Sequence, residues 1–363
     1  MQPPLSPPPH QDKQNLWKKV RPLFSFSDRK RPWGFLVTAA LAVGLPVIIG
    51  TWFGYFSLGV VASGGGLASL YLRQTPLPHR LITMALATFG FCTCFALCLT
   101  AGFSDWAVVA AIGFVTFWAT FICRYFAVPP PGNFLFVLMA CIASAIPYDL
   151  SLVAERTGLL FFGCLGACTL TLTYSLMQML GAYTVDVYKP EPTEPRVVAI
   201  VLESATLAIF VAASYLFALG LGFNNPYWAP ISCAAIMQGD SFRAVWHRKV
   251  HRIVGTTIGM GLAWLVFSFN PGQWTMALLI LGLSLVIEML VTRNYGLAVI
   301  FITPLTIILT EGQHMAHDVN ATIILRLIDV VLGSTVGYVG GWVLHHRGLF
   351  DRLEQRLLQM GGK

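Results

Sequence analysis

The sequence predicts an all-α integral membrane protein with about twelve transmembrane helices in two parallel six-helix repeats. Composition carries the class: 56% of the 363 residues are hydrophobic and 11% are charged, where soluble domains carry roughly 25% charged residues. The few ionised residues are separated by charge-free stretches, among them 81–104, 106–123, 125–148, 157–185 and 204–239. A spanning helix needs roughly 20 mostly apolar residues, and helices of a soluble core would need charged outer faces, which these stretches lack. The third observation is where the basic residues fall.

Residues 1–32 open on a proline-rich run (Pro3, Pro4, Pro7, Pro8, Pro9) and continue into a basic cluster from Lys18 to Arg31. No short apolar core with a small-residue cleavage site follows, so the expectation is a retained, disordered cytoplasmic tail rather than a secretory signal. Spans are expected near 34–51, 55–72, 81–101, 106–123, 131–147 and 157–182 in a first repeat over 33–183. The second repeat, 197–346, holds spans near 197–221, 227–239, 253–269, 273–291, 295–310 and 322–344. A proline-rich linker, 184–196, joins the repeats, and 347–363 forms a C-terminal cytoplasmic tail. With both termini in the cytoplasm, 21 of the 23 Lys and Arg residues fall in the tails or in internal loops, as the positive-inside rule requires. The exceptions, Arg156 and Arg326, lie near the external starts of the sixth and twelfth spans. The eight cysteines lie in or beside apolar stretches without a CxxC spacing. They read as small hydrophobes rather than disulfides or metal ligands. The net charge of +7 reflects topology and is no nucleic-acid footprint.

The two repeats are read from polar positions that recur about 170 residues apart. Arg156 and Gly163 align with Arg326 and Gly333, His79–Arg80 with His251–Arg252, Tyr55 with Tyr227, Arg124 with Arg293, and Asp149 with Asp318. An even number of spans per repeat gives both the same orientation, related by an axis along the membrane normal.

Motifs concentrate in the second repeat. It holds the Tyr227–Trp228 span, Arg252 to Gly259 as Arg-x-x-Gly-Thr-x-x-Gly, Arg293 to Pro304 (RNYGLAVIFITP), and Arg326 to Gly333 (RLIDVVLG). In these elements the chain resembles the fusaric-acid-resistance-like family, which includes the aromatic acid exporters and is distantly related to the aluminium-activated malate transporters. The first repeat follows the pattern weakly: the Gly-Thr motif is absent, and Leu159 stands where a counterpart of Asp329 would be. The resemblance implies a bacterial inner-membrane exporter of small organic anions, aromatic carboxylates in particular, working with a periplasmic adaptor protein. No GxxxxGK[ST] motif occurs, so an ion gradient or the substrate's own gradient would supply the energy. A passive organic-anion channel and a membrane scaffold of an envelope complex are the alternatives. Enzymatic activity, a cofactor, a metal and a nucleic-acid partner are not expected, and the HxxH of His314 and His317 is a weak metal signal.

The candidate binding residues are Arg326, Asp329, Tyr227, Trp228 and Arg156. Arg326 and Asp329, three apart, share one helix face, and ionised groups inside a membrane mark pathways or structural pairs. Arg326 is expected to bind the substrate's carboxylate, with Asp329 holding it between transport events. The span 227–239 covers only about 20 Å of a hydrocarbon core near 30 Å. It is either a half-helix capped by Asn225 and Pro226, its positive end aimed into a cavity, or part of a continuous helix to Arg243. Glu203 and Glu288, near the cytoplasmic ends of their spans, are the coupling candidates, although carboxylates so placed more often snorkel or pair with a nearby arginine. Gly333, Gly337 and Gly341 repeat at spacing four, and Gly255 and Gly259 likewise, as helix-packing positions; Arg252 is expected at the cytoplasmic surface.

Overall fold

Apolar stretches in a membrane leave the backbone no partner but itself, so every N–H and C=O must be satisfied within helices. The structure, a computed structural model of the chain, describes residues 26–28, 31–73, 75–180, 196–223, 226–311, 319–346, 348 and 352, and among these no strand occurs. Asn225, His314, His317, Asp318, most of the 184–196 linker and nearly all of both tails lie outside the described residues. In chain order the helices are α1 (Trp33–Trp52), α2 (Phe56–Gly66), α3 (Leu77–Ala101), α4 (Asp105–Tyr125), α5 (Phe134–Ser144) and α6 (Val153–Leu180). They continue as α7 (Val197–Gly220), α8 (Trp228–Met237), α9 (Phe242–Ser268), α10 (Gln273–Leu290), α11 (Tyr295–Glu311) and α12 (Val319–His345). A 3₁₀ turn, Leu67–Tyr71, extends α2.

Length sorts these helices into two layers. Eight of them (α1, α3, α4, α6, α7, α9, α10 and α12) are long and apolar enough to cross a membrane, while α2, α5, α8 and α11 are shorter. Each long helix presents large exposed apolar side chains, such as Phe89 on α3, Trp118 on α4 and Trp342 on α12. Among the described residues, the short helices expose no large apolar side chain, and all ten residues of α8 are buried. The long helices therefore form the lipid-facing shell and the short ones the interior.

The packing order is regular. α1 packs on α2, both α2 and α3 pack on α6, α1 also reaches α6, and α5 contacts α3 and α4. In the second set α7 packs on α8, both α8 and α9 pack on α12, α7 also reaches α12, and α11 contacts α9 and α10. Contacts of α4 with α7 and of α10 with α1 join the sets. Two turns match in detail as well. Gly54 after α1 and Gly222 after α7 have φ of +79° and +78°, the left-handed conformation that glycine takes at a helix end. Around Gly54, Phe53, Gly54 and Tyr55 donate to the carbonyls of Ile49, Thr51 and Gly50. Leu221, Gly222 and Phe223 donate in the same pattern to Phe217, Leu219 and Ala218.

Close backbone approach lets the outer helices enclose the inner ones. A Cβ on Gly163 of α6 would lie 1.8 Å from the Ala62 carbonyl oxygen of α2. One on Gly333 of α12 would lie 2.0 Å from the Ala229 carbonyl oxygen of α8. Proline plays into the same contacts. Pro46 in α1 and Pro304 in α11 lack the N–H that would bond Ala42 and Ile300. Those two carbonyls face Gly66 and Gly259, where an added Cβ would meet them at 2.3 and 2.6 Å. A freed carbonyl thus faces a glycine Cα in both places, a geometry suited to weak Cα–H···O contact.

Gly333→Val is therefore expected to destabilise the fold by about 3 kcal/mol, whereas Gly158→Ala, with nothing within 4 Å, leaves it unchanged. Thermal unfolding in detergent reads the difference.

Candidate functional site

The interior helix α8 organises the site. It is not part of a continuous helix to Arg243: it ends at Met237, and the Ser241 side chain caps a new helix by accepting from the Ala244 N–H at 3.2 Å. Ten residues rise about 15 Å, half of a hydrocarbon core of about 30 Å. At least one end of α8 consequently cannot reach a membrane surface, and polar side chains meet each end.

At its C-terminal end Arg248 of α9 donates to the Ala235 carbonyl at 3.2 Å. A cation there meets one of the last, otherwise unbonded carbonyls and the negative end of the helix dipole. Arg252, one turn further along α9, is buried and reaches Ser232 Oγ at 3.3 and 3.4 Å. The expectation that Arg252 sits at the surface is corrected here, because α9 starts so close to α8 that its second and third turns face the interior.

At the N-terminal end the arrangement is different in sign. Arg326, 4% exposed, projects from α12 and lays its guanidinium over the Trp228 ring, 3.6 Å from the centroid. It also donates to Thr306 Oγ1 of α11. Tyr227 and Trp228 are both buried, with ring centroids 5.0 Å apart. Asp329 lies on the same buried face of α12, 3% exposed. Among the described residues, Asp329 Oδ1 and Trp228 Nε1 have no hydrogen-bond partner. Three helices thus bring a cation, an anion, an indole donor and the positive end of α8 to one buried locus. Stacking a guanidinium on indole is worth more once desolvated, but a cation beside a helix N-terminus is opposed by the dipole. The locus is suited to a further negative group.

The remaining candidates fall elsewhere. Arg156 is partly exposed and donates to the Pro147 carbonyl at 2.8 Å, tying α6 to the α5–α6 loop. In that loop Ser151 donates from its N and Oγ to Asp149 Oδ1 at 3.0 and 2.6 Å. These bonds hold the Asp149 carboxyl below its ordinary pKa, with the Arg156 charge a smaller contribution. Glu203 on α7 pairs with Arg124 of α4 at 3.3 Å, and Glu288 on α10 pairs with Arg31 just before α1. Gly255 and Gly259 sit where α9 crosses α11. Gly337 approaches the Cys233 carbonyl of α8, and Gly341 approaches Val245 of α9. Thr306, Ser232 and Arg248 are partners that spacing alone did not single out. A hydroxyl in an apolar run carries no signal until a second helix is placed beside it.

This architecture, lipid-facing long helices around an enclosed polar locus, defines a multi-pass membrane protein. Residues 207–340 match the family model described as fusaric acid resistance protein-like, which bears out the resemblance across the segment that contains α8, Arg326 and Asp329. The chain is 23% identical to the uncharacterized membrane protein YvaC of Bacillus subtilis, over 94% of this chain and 77% of that protein. It is 28% identical to the uncharacterized protein ORF2 of Neisseria gonorrhoeae over 36% of this chain and 31% of that protein. No solved structure matches.

The two carboxylate–arginine pairs differ in burial, and their energies are expected to differ accordingly. The Arg124 and Glu203 side chains are 52% and 30% exposed, so Arg124→Gln should cost less than about 1 kcal/mol. The Glu288 side chain is 10% exposed, and Arg31→Gln, which strands it, should cost about 3 kcal/mol. Chemical unfolding of the two variants against the wild-type protein checks the order.

Proposed function

We propose that this protein exports small organic anions, with aromatic carboxylates as the narrower class, and that the substrate's carboxylate docks on Arg326. The observation that carries the reading is the Arg326 guanidinium, buried and stacked on Trp228 at the first turn of the enclosed helix α8. A carboxylate there would take the guanidinium fork and the Trp228 Nε1 donor, and would offset the like-signed meeting of Arg326 with the α8 dipole. The buried Tyr227 and Trp228 rings offer a flat apolar wall for an aromatic substrate. Asp329 is the counter-charge that keeps the empty site near neutrality. The name of the matched family, resistance to fusaric acid, fits an organic-acid substrate.

The proposed architecture is twelve crossings in two parallel repeats, with both termini in the cytoplasm of a bacterial inner membrane. The matched packing order of the two sets supports it, as does the recurrence of the Gly54 turn at Gly222. The short helices fall second and fifth in each set of six, as a duplicated unit requires. Between the repeats run the Arg124–Glu203 and Arg31–Glu288 pairs. In an ion-coupled cycle, proton uptake by Glu203 or Glu288 would release the paired arginine and loosen the seam on which one repeat rocks against the other. A periplasmic adaptor remains part of the proposal, on the strength of the family resemblance.

In proteoliposomes, Arg326→Gln is expected to cut flux of hydroxybenzoate about tenfold or more, the worth of one charge-assisted hydrogen bond. Arg326→Lys, which keeps the charge but loses the fork and the stack, should fall between. Undiminished flux through correctly inserted Arg326→Gln would sink the reading. Dependence of wild-type flux on an imposed proton gradient separates a coupled exporter from a passive channel.

A further inference from the structure

We infer that Asp329 takes up one proton each time a substrate anion docks on Arg326, so that anion and proton cross the membrane together. This uptake presupposes the docking of a carboxylate on Arg326 proposed above and concerns what that docking does to its neighbour. Position comes first. On α12, Arg326 lies over the Trp228 ring, and Gly333 lies against the Ala229 carbonyl. Asp329 falls three residues after the one and four before the other, so it shares their face. It therefore faces the first turn of α8, beside the place where the anion would sit.

Hydrogen bonding points the same way. The Asp329 side chain is buried, and its Oδ1 has no hydrogen-bond partner among the described residues. Glu203 and Glu288, by contrast, each meet an arginine. An unbonded carboxylate oxygen in an enclosed site is costly, and a proton removes the charge that makes it so. Docking then changes the charge of the site. Whatever else Arg326 meets, a docked carboxylate adds one negative charge beside Asp329. Two carboxylates sharing one enclosed site oppose each other's ionisation. One proton on Asp329 restores the charge that the site had when empty. The helices packed on α12 are α7, α8 and α9, and Arg326 also bonds Thr306 of α11. Their titratable groups are Glu203 and Tyr215 of α7, Tyr227 and Cys233 of α8, the basic and histidine residues from Arg243 to Arg252 of α9, and Tyr295 and Glu311 bounding α11. These surround the site both empty and loaded, so they bias how readily Asp329 ionises without supplying the change that docking brings. By reciprocity, if docking favours the proton, the proton favours docking by the same factor. Affinity for the anion is therefore highest at low pH and falls as pH rises.

Calorimetry of hydroxybenzoate binding to the full chain in detergent, at about pH 7, where the ligand's carboxylate is ionised, tests this. Titrations in buffers of different ionisation heat count the protons. Wild-type protein should take up about one proton per bound anion, and its affinity should fall by up to about tenfold per pH unit. Asp329→Asn should bind without proton uptake and with an affinity independent of pH, and Asp329→Glu should restore both. In proteoliposomes, wild-type flux should be insensitive to an imposed membrane potential, whereas flux through Asp329→Asn should follow it. Binding without proton uptake by the wild-type protein, unchanged uptake by Asp329→Asn, or wild-type flux that follows the potential overturns the inference and leaves the docking site standing. Undiminished binding by Arg326→Gln, or none by the wild-type protein, overturns the docking site and the proton uptake with it.

Discussion

The structure depends on backbone touching backbone where α6 crosses α2 and where α12 crosses α8. Lipid tails are as apolar as leucine, so burial from water does not drive one helix against another inside a bilayer. Dispersion and polar contacts must hold them, and both require close approach. At Gly163 and Gly333 even a methyl group would collide with a carbonyl of the inner helix. Without those two seats the short helices could not be enclosed, and their ends would face hydrocarbon with unsatisfied backbone groups.

Enclosure in turn explains the polar chemistry. A helix of ten buried residues presents its dipole inside the protein rather than at an interface. Arg248 meets the negative end, where a cation is stabilised, and Arg326 stands at the positive end, where it is not. Stacking on Trp228 and a bond to Thr306 hold this opposed cation in place. Among the described residues the first set of helices shows no such arrangement: Arg156 secures a loop carbonyl at the rim. The opposed charge is thus confined, among these residues, to the second set of helices.

Much of this was legible in the sequence, for identifiable reasons. Charge-free stretches mark apolar helices directly, and the helix boundaries at Trp33, Gln273 and Leu290 fall within a residue of the expected ones. The spacing of Arg326 and Asp329 placed them on one face because three residues is nearly one turn. Two things were not legible. Whether 227–239 continued to Arg243 depended on Gly239 and Ser241, which turn and recap the chain, and an apolar run reads alike in either case. Contacts between distant helices were also hidden, since Thr306 and Ser232 look like any hydroxyl bonding its own helix. Arg252 was misplaced for the same reason: nothing local says that α9 lies against α8.

The pairs at the seam have one further property. Both cations, Arg31 and Arg124, come from the chain before α7, and both anions, Glu203 and Glu288, come from α7 onward. The two sets of six helices are thus keyed to each other rather than each to its like. Two copies of the first set brought together through these faces would oppose arginine to arginine, and two copies of the second, glutamate to glutamate. Helices that pack through apolar faces risk pairing wrongly with their neighbours in a crowded membrane. Here the distribution of four charges gives the halves a polarity that favours their own partner.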